Sequence, residues 1–156
     1  PELCIRTTVA AARKKGFPIE NIVFEVIEGE AIRDQAHLSN IINYYKKQGF
    51  STAIDDFGSG YAGLNLLAEY QPDFIKLDRK LVTGIHLDPP RQAIARAVIQ
   101  VCQDLRIGLL AEGVEEVTEV VWFAEHGVEL FQGNYFAQPG FEILPDVPAE
   151  RLNNIS

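Results

Sequence analysis

Short, nearly unbroken apolar runs alternate with longer stretches of helical spacing along this chain, and that alternation constrains the fold more than any other feature. The runs fall at residues 22–27 (apolar but for Glu25), 50–54, 74–78, 108–111 and 130–133. Such runs suit strands covered on both faces, as in a parallel sheet. Between them, residues 4–15, 36–48, 61–70, 91–105 and 118–126 carry apolar residues at helical spacing. Ile94, Ala97, Val98, Val101 and Cys102 form one such stripe. Gly16-Phe17-Pro18, Gly49 and Gly127 stand where helices stop. From Pro139 onward, with Pro145 and Pro148, the spacing predicts loop and a terminal helical turn. Strands alternating with helices of this length are βαβ units, hence parallel strands joined by right-handed crossovers. An open doubly wound sheet and a (β/α)₈ barrel both satisfy the pattern, and both gather functional side chains at the carboxyl ends of their strands.

Charged and polar residues recur at that edge. Glu25 and Glu28, Asp55 and Asp56, Lys76 and Asp78, Glu112 and Glu115, and Gln132 all lie within or just after an expected strand. One such residue would mean little, but five consecutive strands converging polar groups on one rim mark a site. Its centre is Ala53-Ile54-Asp55-Asp56-Phe57-Gly58-Ser59-Gly60-Tyr61. Adjacent carboxylates at a strand end repel and pay desolvation unless a cation or hydrogen-bond donors satisfy them. The following glycines let the backbone turn tightly.

Glu25, Asp55 and Asp56 are hard oxygen donors suited to Mg²⁺ or Mn²⁺, and two adjacent aspartates can bridge or serve two ions. Such a pair stabilises both the attacking and the leaving oxygen of a phosphodiester. Lys76, inside a strand, requires anionic partners: either a structural pair with Asp78 or Glu115, or a role holding a phosphate oxygen or orienting water. Glu112 ends a strand before a glycine and is a candidate general base or further metal ligand; the alternative, a helix cap ahead of Thr118, is a task glutamate performs poorly. Glu28 and Glu115 fit a supporting role around these groups. Phe136 and Pro139, past Gln132, offer an aromatic and apolar surface for a nucleobase or plain loop packing. His37, His86 and His126 are scattered and form no metal cluster.

The 156 residues are enough for one domain, and 47% hydrophobic with 23% charged residues is an ordinary globular balance. A net charge of −8 argues against nonspecific binding to nucleic acid or to an anionic membrane. It leaves room for a small anionic ligand, since a divalent ion inverts the local field. Cys4 and Cys102 are expected to be free thiols in a reducing compartment. No run approaches the roughly 20 apolar residues of a membrane span, and no signal peptide is evident. The chain reads as cytoplasmic, with a membrane-tethered parent protein left open.

In order and spacing, Phe24-Glu25-Val26-Ile27-Glu28, Asp55 to Tyr61, Ile75-Lys76-Leu77-Asp78, Glu112-Gly113-Val114-Glu115 and Gln132-Gly133-Asn134-Tyr135-Phe136 through Pro139 resemble EAL domains, the bacterial cyclic-di-GMP phosphodiesterases. The resemblance spans nearly the whole chain and rests on the combination of motifs. It implies a TIM-like (β/α)₈ barrel of the EAL type and hydrolysis of cyclic di-GMP to linear pGpG with Mg²⁺ or Mn²⁺, two ions in an intact site. It implies that Glu25, Asp55 and Asp56 hold metal, that Lys76 and Glu112 position or activate the attacking water, and that Gln132 and Pro139 lie near a guanine. Glu28 would brace the loop from Asp56 to Tyr61, a loop the family also uses in homodimers, and an upstream regulatory domain would be usual. Ile27 stands where the family usually has Thr, and Ala62-Gly63 where small polar residues are common.

The signature Glu-Ala-Leu strand and a later Asn-bearing strand are absent from the sequence. A TIM barrel of about 250 residues exceeds this chain by roughly 90. The expectation is therefore a single EAL-like domain over residues 1–156, shortened at its N-terminus, with impaired turnover. Two other readings compete: a catalytically inactive module that binds cyclic di-GMP or a protein partner, and a receiver-like phosphoacceptor. Receivers also join an acidic pair, an Asp and a Lys, but here Lys76 precedes Glu112 instead of closing the site.

Overall fold

The computed structural model describes residues 2–31, 35–60 and 63–153. Helix α1 (Glu2–Lys15) leads through a 3₁₀ turn (Ile19–Asn21) into β1 (Val23–Ile27), followed by α2 (Glu28–Ala31) and α3 (Gln35–Lys47). Then come β2 (Ser51–Phe57), α4 (Gly63–Glu69), β3 (Phe74–Leu77), α5 (Arg79–Val82) and a second 3₁₀ turn (Ile85–Leu87). The chain continues with α6 (Pro89–Leu105), β4 (Gly108–Glu112), α7 (Val117–Glu125), β5 (Leu130–Gln132) and α8 (Ala149–Leu152).

The five strands are parallel and neighbour one another in chain order, β1-β2-β3-β4-β5. Sequential order with right-handed crossovers puts every connecting helix on one side of the sheet. A doubly wound sheet must instead reverse its strand order to cover both faces. The winding is therefore that of a TIM-like barrel. On the helix side, Ile54, Ile75, Leu77, Leu109 and Ala111 pack with Val98, Ile99, Cys102, Val120 and Phe123 in one buried core. The opposite face is less covered: Val23, Ile27 and Leu130 are 41%, 45% and 41% exposed.

Helix α6 begins two residues before the expected start, at Pro89. Proline suits the first helical position, where its missing N–H costs nothing, and Asp88 caps the turn by accepting the Arg91 amide at 3.0 Å. Strand β2 runs three residues past its expected end at Ile54, because a bulge rather than a turn carries the acidic pair. Ile54 pairs with Ile75, and the next pairing, Phe57 with Leu77, is out of step with it. Asp56 takes up the extra residue with φ of 56°, in the left-handed region that aspartate tolerates better than most residues. The single turns α2 and α5 were too short to show a helical period. At Gly133 a Cβ would stand 2.2 Å from the Val114 carbonyl oxygen, so only glycine lets the end of β5 lie against the loop after β4.

Candidate active site at the carboxyl ends of the strands

The bulge in β2 answers how two consecutive residues can serve one site. In a regular strand Asp55 and Asp56 would face opposite sides of the sheet. Here Ile54 and Phe57 both pack into the core, and the extra residue between them lets both carboxylates stay out of it. Asp55 accepts the Asp56 amide on Oδ1 at 3.0 Å, which fixes the turn from within.

Lys76 of β3 sits at the focus of the rim. Its Nζ lies 2.9 Å from Asp55 Oδ1 on β2, 3.1 Å from Glu112 Oε2 on β4 and 3.2 Å from Glu25 Oε2 on β1. Strand register explains the convergence: β1 and β2 pair Ile27 with Asp55, and β3 and β4 pair Lys76 with Leu110, two residues before Glu112 on the same face. Burial pulls the Lys76 pKa down, but the hydrogen bonds to Asp55, Glu112 and Glu25 outweigh it and hold the ammonium above its usual range. The expected structural partners are corrected here. Asp78 instead caps α5, accepting the Lys80 amide at 2.8 Å, and Glu115 pairs with Arg79 at 2.8 Å. Nor does Glu112 cap α7, whose cap position is Glu116.

Three carboxylates, Glu25, Asp55 and Glu112, thus meet on one ammonium, with Asp56 next to Asp55 in the bulge. The excess negative charge registers on Asp56, whose pKa is raised by burial first and then by Asp55 and Asp78, with Lys76 opposing. Among the described residues, no three Asp, Glu, His or Cys side chains are gathered closely enough to hold a metal ion by themselves; the ammonium holds the point on which three of them converge. The donor chemistry and the uncompensated charge fit a divalent cation, provided that carboxylates turn from Lys76 towards it.

Glu28 is buried behind this group. Its Oε2 accepts the Gly58 amide at 2.9 Å, while Oε1 has no partner among the described residues and would stand 3.1 Å from a Cβ at position 60. The loop after the bulge thus lies on a carboxylate, and Tyr61, where the expected dimer loop ends, falls outside the described residues. Gln132, the last residue of β5, and Pro139 beyond it are both exposed. Phe136 does not offer a stacking face: it is buried in the core, its ring 5.1 Å from that of Tyr135 and 6.0 Å from that of Phe131.

Cys102 is a buried free thiol; the side chains of Cys4 and His37 lie outside the described residues. His126 stacks on Trp122 at 4.0 Å, and His86 lies by the second 3₁₀ turn, so neither joins the rim. Sequence reasoning missed Arg79, which reaches Glu115, and Glu119, which holds backbone amides of the loop after β4. The spacing of Glu116 and Glu119 is a capping signature that would have pointed to the latter. No helix among the described residues is long and apolar enough to cross a membrane.

Comparison with known proteins agrees with this winding of the chain. The family description "EAL domain" matches residues 1–139. The blue light- and temperature-regulated antirepressor BluF of Escherichia coli K12 is 41% identical over 128 residues, 82% of this chain and 32% of BluF. The cyclic di-GMP phosphodiesterase PdeR of the same organism is 35% identical over 127 residues, 81% of this chain and 19% of PdeR. A standalone versatile EAL protein from Vibrio cholerae O395, solved in its c-di-GMP-bound form, superposes with a TM-score of 0.91 at 53% identity, covering 97% of this chain and 64% of that one. The manganese and cyclic di-GMP complex of Klebsiella pneumoniae BlrP1 gives 0.82 at 38% identity, covering 86% of this chain and 34% of that one. The chain spans a third or less of the length of these two curated relatives and just under two thirds of the Vibrio protein.

Proposed function

The chain belongs to the EAL domain family, and from that premise we propose that it binds cyclic di-GMP at the strand-end rim and, with a divalent metal, hydrolyses it to linear pGpG. The observation that carries the reading is the meeting of Glu25, Asp55 and Glu112, from three different strands, on the Lys76 ammonium within 3.2 Å. A purely structural lysine needs one such partner, whereas three leave an anionic surplus suited to a metal and a phosphodiester.

In this reading Glu25, Asp55, Asp56 and Glu112 hold Mg²⁺ or Mn²⁺, two ions in an intact site. Bound there, the metal supplies charge neutralisation at the phosphate and a more acidic water. Lys76 holds a phosphate oxygen or the attacking water by its charge, and Glu112, at the same ammonium, accepts the proton that the water gives up. Glu28 braces the loop after the bulge, Asp78 and Glu115 fix the turns on either side, and Gln132 and Pro139 border a guanine. Phe136 supports that border from within the core. BlrP1 was solved with manganese and its nucleotide, which supports the choice of ion.

Turnover by this chain alone is expected to be slow. The Glu25 side chain is 47% exposed on an edge strand, and water competes for a ligand that a closed site would keep dry. The loop after Asp56 is the proposed homodimer contact, the cytoplasm is the proposed compartment, and residues 1–156 are proposed to act as one EAL-like unit under a regulatory domain. A second reading, a module that binds the nucleotide or a protein without turnover, is favoured by the resemblance to an antirepressor. Calorimetric binding of cyclic di-GMP with and without Mn²⁺, beside a chromatographic assay for pGpG, separates the two. Metal-dependent product supports the first, and binding without product supports the second. Turnover equal to that of full-length PdeR would contradict the slow rate proposed here.

A further inference from the structure

Glu119 is a carboxylate of α7 that is 1% exposed and has no cationic partner among the described residues. Its Oε1 accepts the Gly84 amide at 2.8 Å, and its Oε2 accepts the amides of Glu115 at 2.8 Å and Glu116 at 3.1 Å. These donors belong to two separate loops. Gly84 follows the short helix that begins two residues after Leu77, so it lies within the connection between β3, which carries Lys76, and α6. Glu115 and Glu116 end the connection leaving β4 and Glu112. The first half of that second loop is already fixed, since the Gln132 carbonyl accepts the amides of Gly113 at 2.7 Å and Val114 at 3.2 Å. Its second half has the Arg79–Glu115 pair, between side chains 62% and 40% exposed, and Glu119. An exposed pair of that kind contributes little, whereas charge-assisted hydrogen bonds to a buried carboxylate are strong and directional.

We propose that Glu119 is a positioning residue: a buried strap that holds the loop after β3 to the loop after β4, and so keeps Lys76 and Glu112 at the spacing a metal ion and its water require. The proposal rests on the reading of the rim as a metal-dependent phosphodiesterase site. Without the strap, residues 115–116 are no longer tied to residue 84, and the loop that leaves Glu112 keeps only its first half fixed. Supporting residues of this kind typically change metal affinity or activity by about 10- to 100-fold.

The test compares the native chain with Glu119→Ala, Glu119→Gln and, as a control on the exposed side of the same helix, Glu125→Gln. Three quantities are read: amide exchange at Gly84, Glu115 and Glu116, Mn²⁺ affinity, and turnover of cyclic di-GMP. Glu119→Ala is expected to speed exchange at all three amides, to weaken Mn²⁺ at least about tenfold, and to lower kcat with KM changed less than about threefold. Glu119→Gln keeps the shape and one acceptor oxygen, so it should fall between alanine and native, and Glu125→Gln should match native. Faster exchange with Mn²⁺ affinity within about twofold of native would overturn the proposal, because the strap would then be structural only. Should Glu119→Ala fail to fold, the same criterion applied to Glu119→Gln decides. A native chain that binds Mn²⁺ without turnover removes the phosphodiesterase reading and leaves the affinities to decide on Glu119, whereas a native chain that binds no Mn²⁺ overturns both.

Discussion

Lys76 shows how one side chain can be both a structural bond and a functional group. Its neutral replacement leaves three carboxylates facing one another without a cation. Breaking a buried pair costs about 3–5 kcal/mol, and the partial exposure of Glu25 and Glu112 reduces that figure. Lys76→Met is therefore expected to lose about 2 kcal/mol in metal-free urea unfolding, and Mn²⁺ should restore more stability to the variant than to the native chain, because the ion replaces the missing ammonium. Equal Mn²⁺ effects on both proteins would deny that metal and lysine share the carboxylates. Cys102 gives a second expectation. Burial pushes its thiol up to about 11 from an ordinary value of 9.0. The folded state thus disfavours the thiolate, so this contribution is complete below pH 9 and is lost as pH rises from 9 towards 11. The native chain should lose more stability than Cys102→Ala between pH 8.5 and about 10.5, as read from urea midpoints; parallel losses would contradict the burial argument.

At the scale of the element, β2 carries the most information and was the least completely read. Its apolar core and its acidic pair were legible, as was the alternation of strands and helices, because burial imposes periods that a sequence displays. The bulge was not legible, since a one-residue shift against β3 depends on a partner strand that local spacing does not describe. The same limit hid the partners of Lys76: the strand position of the lysine was clear, but its choice of Glu25, Asp55 and Glu112 over Asp78 and Glu115 follows from register. Phe136 stayed open between a nucleobase and loop packing because a lone aromatic in a turn gives no sign of which way it packs. If strain at Asp56 is retained for function, Asp56→Gly relieves the left-handed backbone and the repulsion from Asp55 together. It should raise the thermal midpoint by an amount worth about 1 kcal/mol while weakening Mn²⁺ binding at least tenfold. A variant that is no more stable would show that the bulge carries no strain. In the opposite sense, Gly133→Ala forces a Cβ onto the Val114 carbonyl and should cost about 3 kcal/mol; a loss below about 0.5 kcal/mol would mean that β5 shifts freely.

For the whole molecule, sequential parallel strands leave all helices on one side and a face of partly exposed apolar residues on the other, with the charged rim at the strand ends. The rim is thus a property of the winding as much as of any residue: each strand delivers one or two polar groups to the same edge. The most direct measurement is conversion of cyclic di-GMP by the native chain, Glu112→Gln and Lys76→Met, in Mn²⁺ and in excess chelator, with the linear product quantified. The proposed function predicts slow formation of pGpG by the native chain in Mn²⁺ alone, and a loss of at least about 100-fold in both variants. Product formed equally in chelator, or equally by Glu112→Gln, would contradict it.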